Sequence, residues 1–251
     1  MPREHSIQVI DRMVHLLDIL SSHDQAVSLK IISAESGLHP STAYRILAVM
    51  IGHHFVEKNV RSDYQLGKKL LQLGNRVKSH MNLRNEAKPV MQRLRDELGE
   101  TINLAVAEDY ELVYIERISG LRTIRAEQVI GSRAPLHVTA VGKMMLADRG
   151  ERWCRNYARD TGLPAFTDST ICDIDQLLAE VASAAQSGFA LDNEEAEPGM
   201  GCVGVLVRDS SGQGVAGLSV SAPIERREKL WNQSLLAAGR ELSTRLGFST
   251  R

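Results

Sequence analysis

The sequence predicts an α+β chain in two parts: a small helical N-terminal part ending in a hairpin, and a larger part containing a sheet. Apolar residues recur at helical spacing in three short segments before residue 52, and two short strand-like runs follow them. Beyond residue 100, strand-like runs stand both before and after a helical block, the pattern of an α+β layer. Charge divides in the same place. Residues 1–80 hold ten Lys/Arg against seven Asp/Glu, a net +3, while residues 81–251 hold 20 against 24, a net −4. Seven of the eight histidines fall in the first 80, which hints that this part meets something anionic.

In the first part, Ile7, Ile10, Val14, Leu17 and Ile19 predict an amphipathic helix between Ser6 and Leu20. Ser28 caps a second, short helix through about Ser36, where Gly37 stops it. In HPSTAYRILAVMIG, Pro40 stands at a first helical turn, and Ser41 or the turn before it supplies the cap. Ala43, Ile46, Leu47 and Met50 then share the buried face, while Ser41, Tyr44, Arg45 and Ala48 point away. FVEKN and RSDYQL form a hairpin around Lys58 and Asn59, with Arg61 close to its tip. This order is that of a winged helix-turn-helix, whose third helix enters a DNA major groove. Ser41, Thr42 and Tyr44 can hydrogen-bond phosphates or base edges, and Arg45 can meet a guanine bidentately. The competing reading is a three-helix packing unit with Arg45 as a solvated charge.

From Gly67, KKLLQLGNRVKSH predicts a connecting helix over residues 67–82, and Asn85 to Leu98 another, closed by Gly99. TINLAVAE and ELVYIERI are paired strands split by Asp109–Tyr110, and RTIRAEQVI a further strand before a loop with Gly131 and Pro135. Thr139 or Ala140 begins the helix AVGKMMLAD. Residues 151–161 and 173–187 are helices, the second with Ile174, Leu177, Leu178 and Val181 on its apolar face. FALDNEE, GCVGVLVRD and VAGLSVSA are strands, with Ser210–Gly214 as a hairpin turn. ERREKLWNQSLLAAGRELSTRLG is a final helix capped by Gly247.

The stretch LDNEEAEPGMGC concentrates Asp192, Glu194, Glu195 and Glu197 ahead of Cys202. On a strand, Asp192 and Glu194 would share a face and Glu195 would oppose them. A catalytic pair would need a nucleophile and base beside it, yet GLSVS lacks the G-x-S-x-G elbow and His137 is the one histidine past residue 80. A metal site would mix a thiolate with several carboxylates, a mismatch of softness. No enzyme activity, metal or cofactor is therefore expected. A ligand pocket fits better: Ser219 and Ser221 put two hydroxyls on one strand face, and the Ala140 and Val141 N–H groups open a helix able to receive a carboxylate. Glu195, Glu197, Pro198 and Gly199 read as a solvated turn, Cys154 and Cys172 as packing, and Trp153 and Trp231 as core or interface.

Composition sets the setting. A 43% hydrophobic and 24% charged chain suits a globular protein with a core. No apolar run approaches the roughly 18 to 20 residues of a membrane span, and MPREHSIQVIDR flanks its apolar stretch with charges rather than forming a signal peptide. Three cysteines without CxxC spacing suit a reducing compartment. A cytoplasmic protein without membrane partners is expected.

SGLHPSTAYRIL, YQLGKKLLQLG, GSRAPLHVTAVGKMMLA, DNEEAEPGMGC and GLSVSAP, in that order from about Ser6 to Gly247, resemble successive signatures of the IclR family of bacterial transcriptional regulators. Ile31 stands where members usually carry an acidic residue, and Ser33 where they carry Ala. The resemblance implies a winged helix-turn-helix in residues 1–66, a linker helix in 67–82, and in 83–251 an effector-binding and oligomerisation domain. That domain would be GAF-like, an antiparallel sheet flanked by helices. It further implies a homodimer or homotetramer on a palindromic operator in double-stranded DNA. By similarity to members that sense small 2-oxo acids, the effector positions are Ala140, Val141, Asp192, Cys202, Ser219 and Ser221, with Glu194 added for its strand face. The DNA-contacting set is Ser41, Thr42, Tyr44, Arg45 and Arg61. In such a pocket the helix end and serines hold the ligand carboxylate while Asp192 accepts from hydroxyls, which favours a small 2-oxo, 2-hydroxy or sugar acid over an aromatic one. The expected protein represses a carbon-catabolic operon, with an activator of the same architecture, or a small-acid hydrolase or lyase carrying an accessory DNA-binding domain, as alternatives.

Overall fold

The computed structural model describes residues 7–73, 83–126 and 128–249, in two compact units, residues 1–80 and 81–251.

In the first unit, α1 (Gln8–Ser22), α2 (Leu29–Ser36) and α3 (Pro40–Gly52) precede a hairpin of β1 (Val56–Lys58) and β2 (Tyr64–Leu66). A single bridge from Val27 to Tyr64 ties the α1–α2 connection to the hairpin. Leu16, Leu20, Val27, Ile32, Leu47, Met50, Val56 and Tyr64 form the core. Gly37 ends α2 in the left-handed conformation, and Pro40 opens α3 as expected. The cap of α3 comes from the turn before it: His39 Nδ1 accepts from the Ser41 N–H at 3.3 Å. The face expected for α1 is only partly correct. Ile19 is buried and Leu17 partly so, but Ile7, Ile10 and Val14 are exposed, and Leu16 and Leu20 take the inward side. This helix is apolar on more than one side, so spacing alone could not choose which side packs. At the two departures from the family pattern, Ile31 faces solvent and Ser33 is buried with no hydrogen-bond partner for its hydroxyl.

Residues 68–73 are helical, and 74–82, the rest of the expected linker helix, lie outside the described residues.

The second unit begins with α4 (Leu83–Leu98), stopped by Gly99 at φ +73°. Its sheet has six antiparallel strands in the order β5-β4-β3-β8-β7-β6, from β3 (Thr101–Glu108), β4 (Glu111–Ile118), β5 (Arg133–Pro135), β6 (Ala190–Asn193), β7 (Met200–Arg208) and β8 (Gly214–Pro223). Between β5 and β6 run α5 (Ala140–Arg149), α6 (Glu151–Thr161) and α7 (Ile174–Ser187), and α8 (Leu230–Arg245) closes the unit. The alternation of β3, β7 and β8 sends Ile102, Leu104, Val203, Val205, Leu218 and Val220 to one face, into a core shared with α4 and α8. The other face meets α5, α6 and α7 over Leu136, Val141, Leu146, Tyr157 and Leu177. This is the mixed architecture expected, with two corrections. RTIRAEQVI contains no strand among its described residues, because the edge of β4 is taken by Arg133–Pro135, expected to be loop. Pro135 suits such an edge, where no ladder donor is required. The last helix starts at Leu230, five residues later than expected, after a 3-10 turn at Ile224–Arg226.

Candidate functional site

On the first unit, Ser41, Tyr44 and Arg45 are exposed along α3, while Thr42 is half-buried in a groove toward Val9, Arg12 and Met13 of α1. Arg61 is exposed in the Asn59–Asp63 turn, where Asn59 Oδ1 accepts from the N–H groups of both Arg61 (2.8 Å) and Asp63 (3.0 Å). The hairpin thus presents Arg61 on a fixed turn. A residue that spacing did not single out joins this surface: Lys58 Nζ lies 5.6 Å from the Tyr44 ring and 4.7 Å from that of Tyr64.

On the second unit, the start of α5 presses onto the sheet. A Cβ on Gly204 would lie 2.6 Å from Val141 N, so only glycine lets β7 approach that helix end. Thr139 caps α5 by accepting the Gly142 N–H at 3.1 Å, which leaves those of Ala140 and Val141 without intrahelical acceptors. Both residues line a cavity of about 210 Å³ together with Asp192, Cys202 and Ser219. Strand register assembles the rest. Asp192 pairs with Cys202, Cys202 with Ser221, and Ser219 with both Gly204 and Asn103, so all face the same side.

Ser221, on the same face, is buried and absent from the cavity lining: its Oγ accepts from Cys202 Sγ (3.1 Å) and Asn103 Nδ2 (3.1 Å). It holds Cys202 in place rather than lining the space. Tyr114, Gln128, Ser132 and Thr139 line the cavity without having been foreseen. For Tyr114 a signal existed, since it follows Leu112 by two residues and so shares its strand face. Gln128 comes from the segment wrongly expected to be a strand.

The acidic stretch divides differently from its sequence reading. Asp192 is 3% exposed. Burial lifts its carboxyl to about 6, the Glu195 charge adding to the rise, and the Glu195 N–H, Lys143 and the Cys202 thiol opposing it. Burial likewise raises the Cys202 thiol and the Tyr114 hydroxyl, which keep their protons. β6 ends at Asn193, and Glu194 takes φ +63°, so it does not share a strand face with Asp192. Its Oε1 accepts the Gly199 N–H at 2.7 Å, and it is absent from the cavity lining. Glu195 is not part of a solvated turn. It is buried, and its carboxylate meets Lys143 Nζ at 2.7 and 2.9 Å. A Lys inside the apolar run of α5 was the available signal, because a buried ammonium demands a carboxylate. Glu197 is exposed as expected but stands at the cavity rim. Cys154 is buried in packing, whereas Cys172 is exposed.

Thr167 Oγ1 donates to the Glu194 carbonyl and Thr170 Oγ1 to that of Glu195, both at 2.7 Å, so one turn fastens the loop after β6 at two adjacent carbonyls. Among the described residues, no group of three His, Cys, Asp or Glu side chains could hold a metal ion, and no helix is long and apolar enough to cross a membrane.

Residues 9–60 match the model of the IclR helix-turn-helix domain, and residues 75–246 that of the bacterial transcriptional regulator IclR C-terminal domain. The chain belongs to the IclR family. It is 33% identical over 249 residues to the HTH-type transcriptional regulator XynR of Escherichia coli (strain K12), covering 96% of this chain and 98% of that protein. The transcriptional repressor IclR of the same strain is 27% identical over 228 residues, covering 90% and 83%. The crystal structure of an IclR homolog from Microbacterium hydrocarbonoxydans complexed with 4-hydroxybenzoate has a TM-score of 0.62 at 25% identity, over 95% of this chain and 99% of that one. This IclR-family chain is thus a transcriptional regulator with a DNA-binding helix-turn-helix and an effector-binding C-terminal domain, and not an enzyme.

Proposed function

We propose that the protein is a cytoplasmic repressor released or tightened on its operator by a short 2-oxo or 2-hydroxy acid. The observation that carries the effector assignment is the convergence of the Ala140–Val141 helix end, Ser219, Cys202 and buried Asp192 on one cavity. The helix N-terminus and Ser219 supply donors for a carboxylate, and Asp192 meets the oxygen on the neighbouring carbon. At about 210 Å³ the space is below the range of about 300–1,000 Å³ usual for drug-sized ligands, which favours a short acid over a sugar acid or an aromatic one. Ser221 acts through Cys202, and Glu194 drops from the effector set.

In this reading residues 1–66 bind DNA, 83–251 bind effector and oligomerise, and 67–82 join them. Ser41, Thr42, Tyr44, Arg45 and Arg61 contact a palindromic operator as a homodimer or homotetramer, with Lys58 beside them. Repression is favoured by relatives named as repressors, and effector acts by its differential affinity for two arrangements of the protein. The test is calorimetry with a panel of short 2-oxo and 2-hydroxy acids, paired with operator titration. Ser219→Ala should weaken acid binding at least tenfold and leave operator affinity unchanged; equal acid affinity in the variant removes the cavity as the effector site.

A further inference from the structure

Asp192 lines the same cavity as Ala140 and Val141 at the start of α5. Its partner across the ladder, Cys202, stands two residues from Gly204, the point where β7 touches Val141 N. Two residues of strand are about 6.5 Å, so an acid whose carboxylate occupies the helix end brings its next carbon toward Asp192. An oxo oxygen there can only accept a hydrogen bond, whereas a hydroxyl can donate one. The Cys202 thiol is shared between Ser221 Oγ, at 3.1 Å, and the Asp192 carboxyl. The main-chain N–H of Glu195 is likewise used, on Asp192 Oδ1 at 2.8 Å.

Resting on the effector reading above, we infer that Asp192 discriminates 2-oxo from 2-hydroxy acids by the proton it holds: neutral, it donates to an oxo group; ionised, it accepts from a hydroxyl. The groups facing it are arranged for this. From α5, Lys143 Nζ is engaged by Glu195 at 2.7 Å and Glu180 at 3.3 Å, and Glu195 itself comes from the loop after β6. From the segment after β8, Arg227 Nη1 donates to the Asp192 carbonyl (3.2 Å) and to Asn193 Oδ1 (2.6 Å) rather than to the carboxylate. From β7 and β4, Cys202 and Tyr114 stay protonated. Arg133 and Glu197 also line the cavity, and neither forms an ion pair with Asp192. Among the described residues no cation forms an ion pair with the Asp192 carboxylate, and burial, outweighing the Lys143 charge, places its titration near 6. Binding of an oxo acid above that pH therefore takes up one proton, and its apparent affinity falls with the neutral fraction of Asp192. A hydroxy acid needs no proton, because the carboxyl oxygen accepts in either state.

The experiment is calorimetric titration of the full chain with pyruvate and with lactate between pH 5.5 and 8, where both acids are ionised. The expected result for pyruvate is a Kd rising about tenfold per pH unit above 6, or about a hundredfold by pH 8. Lactate should change less than about threefold. At pH 7 the pyruvate enthalpy should vary with buffer ionisation enthalpy as uptake of close to one proton requires, and the lactate enthalpy should not. Asp192→Asn, which carries a permanent donor, should flatten both profiles. Parallel pH profiles for the two acids, or a pyruvate slope that survives in Asp192→Asn, overturn the inference while leaving the effector site intact. Binding of neither acid at any pH, with the fold preserved, overturns the short-acid reading beneath it.

Discussion

In the proposed function Arg45 and Asp192 are the pivotal polar residues of their respective units, and their surroundings are opposite. Arg45 stands exposed on α3 over a core of Ala43, Leu47 and Met50, and no other described side chain fixes it. Asp192 is buried, accepts the Glu195 N–H, and borders a Lys143–Glu195 ion pair that is itself inside the protein. A surface that reads DNA works through groups still hydrated before contact, so changing one alters binding and spares the fold. A cavity that reads a small acid must desolvate its polar groups beforehand, so recognition and stability there rest on the same residues.

The sharpest way to break this contrast is Lys143→Met. Leaving Glu195 buried without its ammonium should destabilise the protein by about 3–5 kcal/mol in urea unfolding, and adding Glu195→Leu should restore most of the loss. A loss below about 1 kcal/mol would show that water reaches the pair and that the cavity loop is not held by it. Next in size is Asp192→Asn. The folded carboxyl titrates near 6 against an ordinary 3.8, so the folded state keeps its proton longer, and stability falls as pH rises between about 4 and 6. Asn avoids that cost, and should gain up to about 3 kcal/mol at pH 8, shrinking to nothing below pH 4. A gain equal at both pH values would mean that charge is not the cause. On the exposed side, Arg45→Ala should weaken operator binding by about 1–3 kcal/mol while moving unfolding by less than about 0.5 kcal/mol. Unchanged operator affinity in an anisotropy titration would take Arg45 out of the DNA-reading set. The smallest effect is expected of Lys58→Ala, which should lower the salt slope of DNA binding by about 1 without altering sequence preference.

Much of the architecture was legible because its signals are local. Gly37, Gly99 and Gly188 take the left-handed conformation that ends their helices, Thr139 and Asp173 cap those that follow them, and the alternation in β3, β7 and β8 marks the buried face. Ser219 was recognisable as a pocket candidate by its strand face, a signal it shared with Ser221, while Asp192 was singled out from its acidic neighbours by the family resemblance. The misassigned residues are those whose role is set by distant partners. Glu195 lies among acids that look solvated, and its ammonium comes from 52 positions earlier. Glu194 fails by one residue of strand, since β6 stops before it.

The sequence by itself determined most of the order of elements, several helix stops, the buried faces of β3, β7 and β8, and the family resemblance, because helix and strand periods act over a few residues and need no knowledge of neighbours. Only the tertiary structure decided which side of α1 is buried, that Arg133–Pro135 rather than RTIRAEQVI borders β4, and that the Ser221 hydroxyl is spent on Cys202 and Asn103. It also decided that Lys143 and Glu195 meet beneath Asp192. Those outcomes depend on register and on which low-dielectric space a charge is forced to share, and both are fixed when strands far apart in the chain are laid side by side.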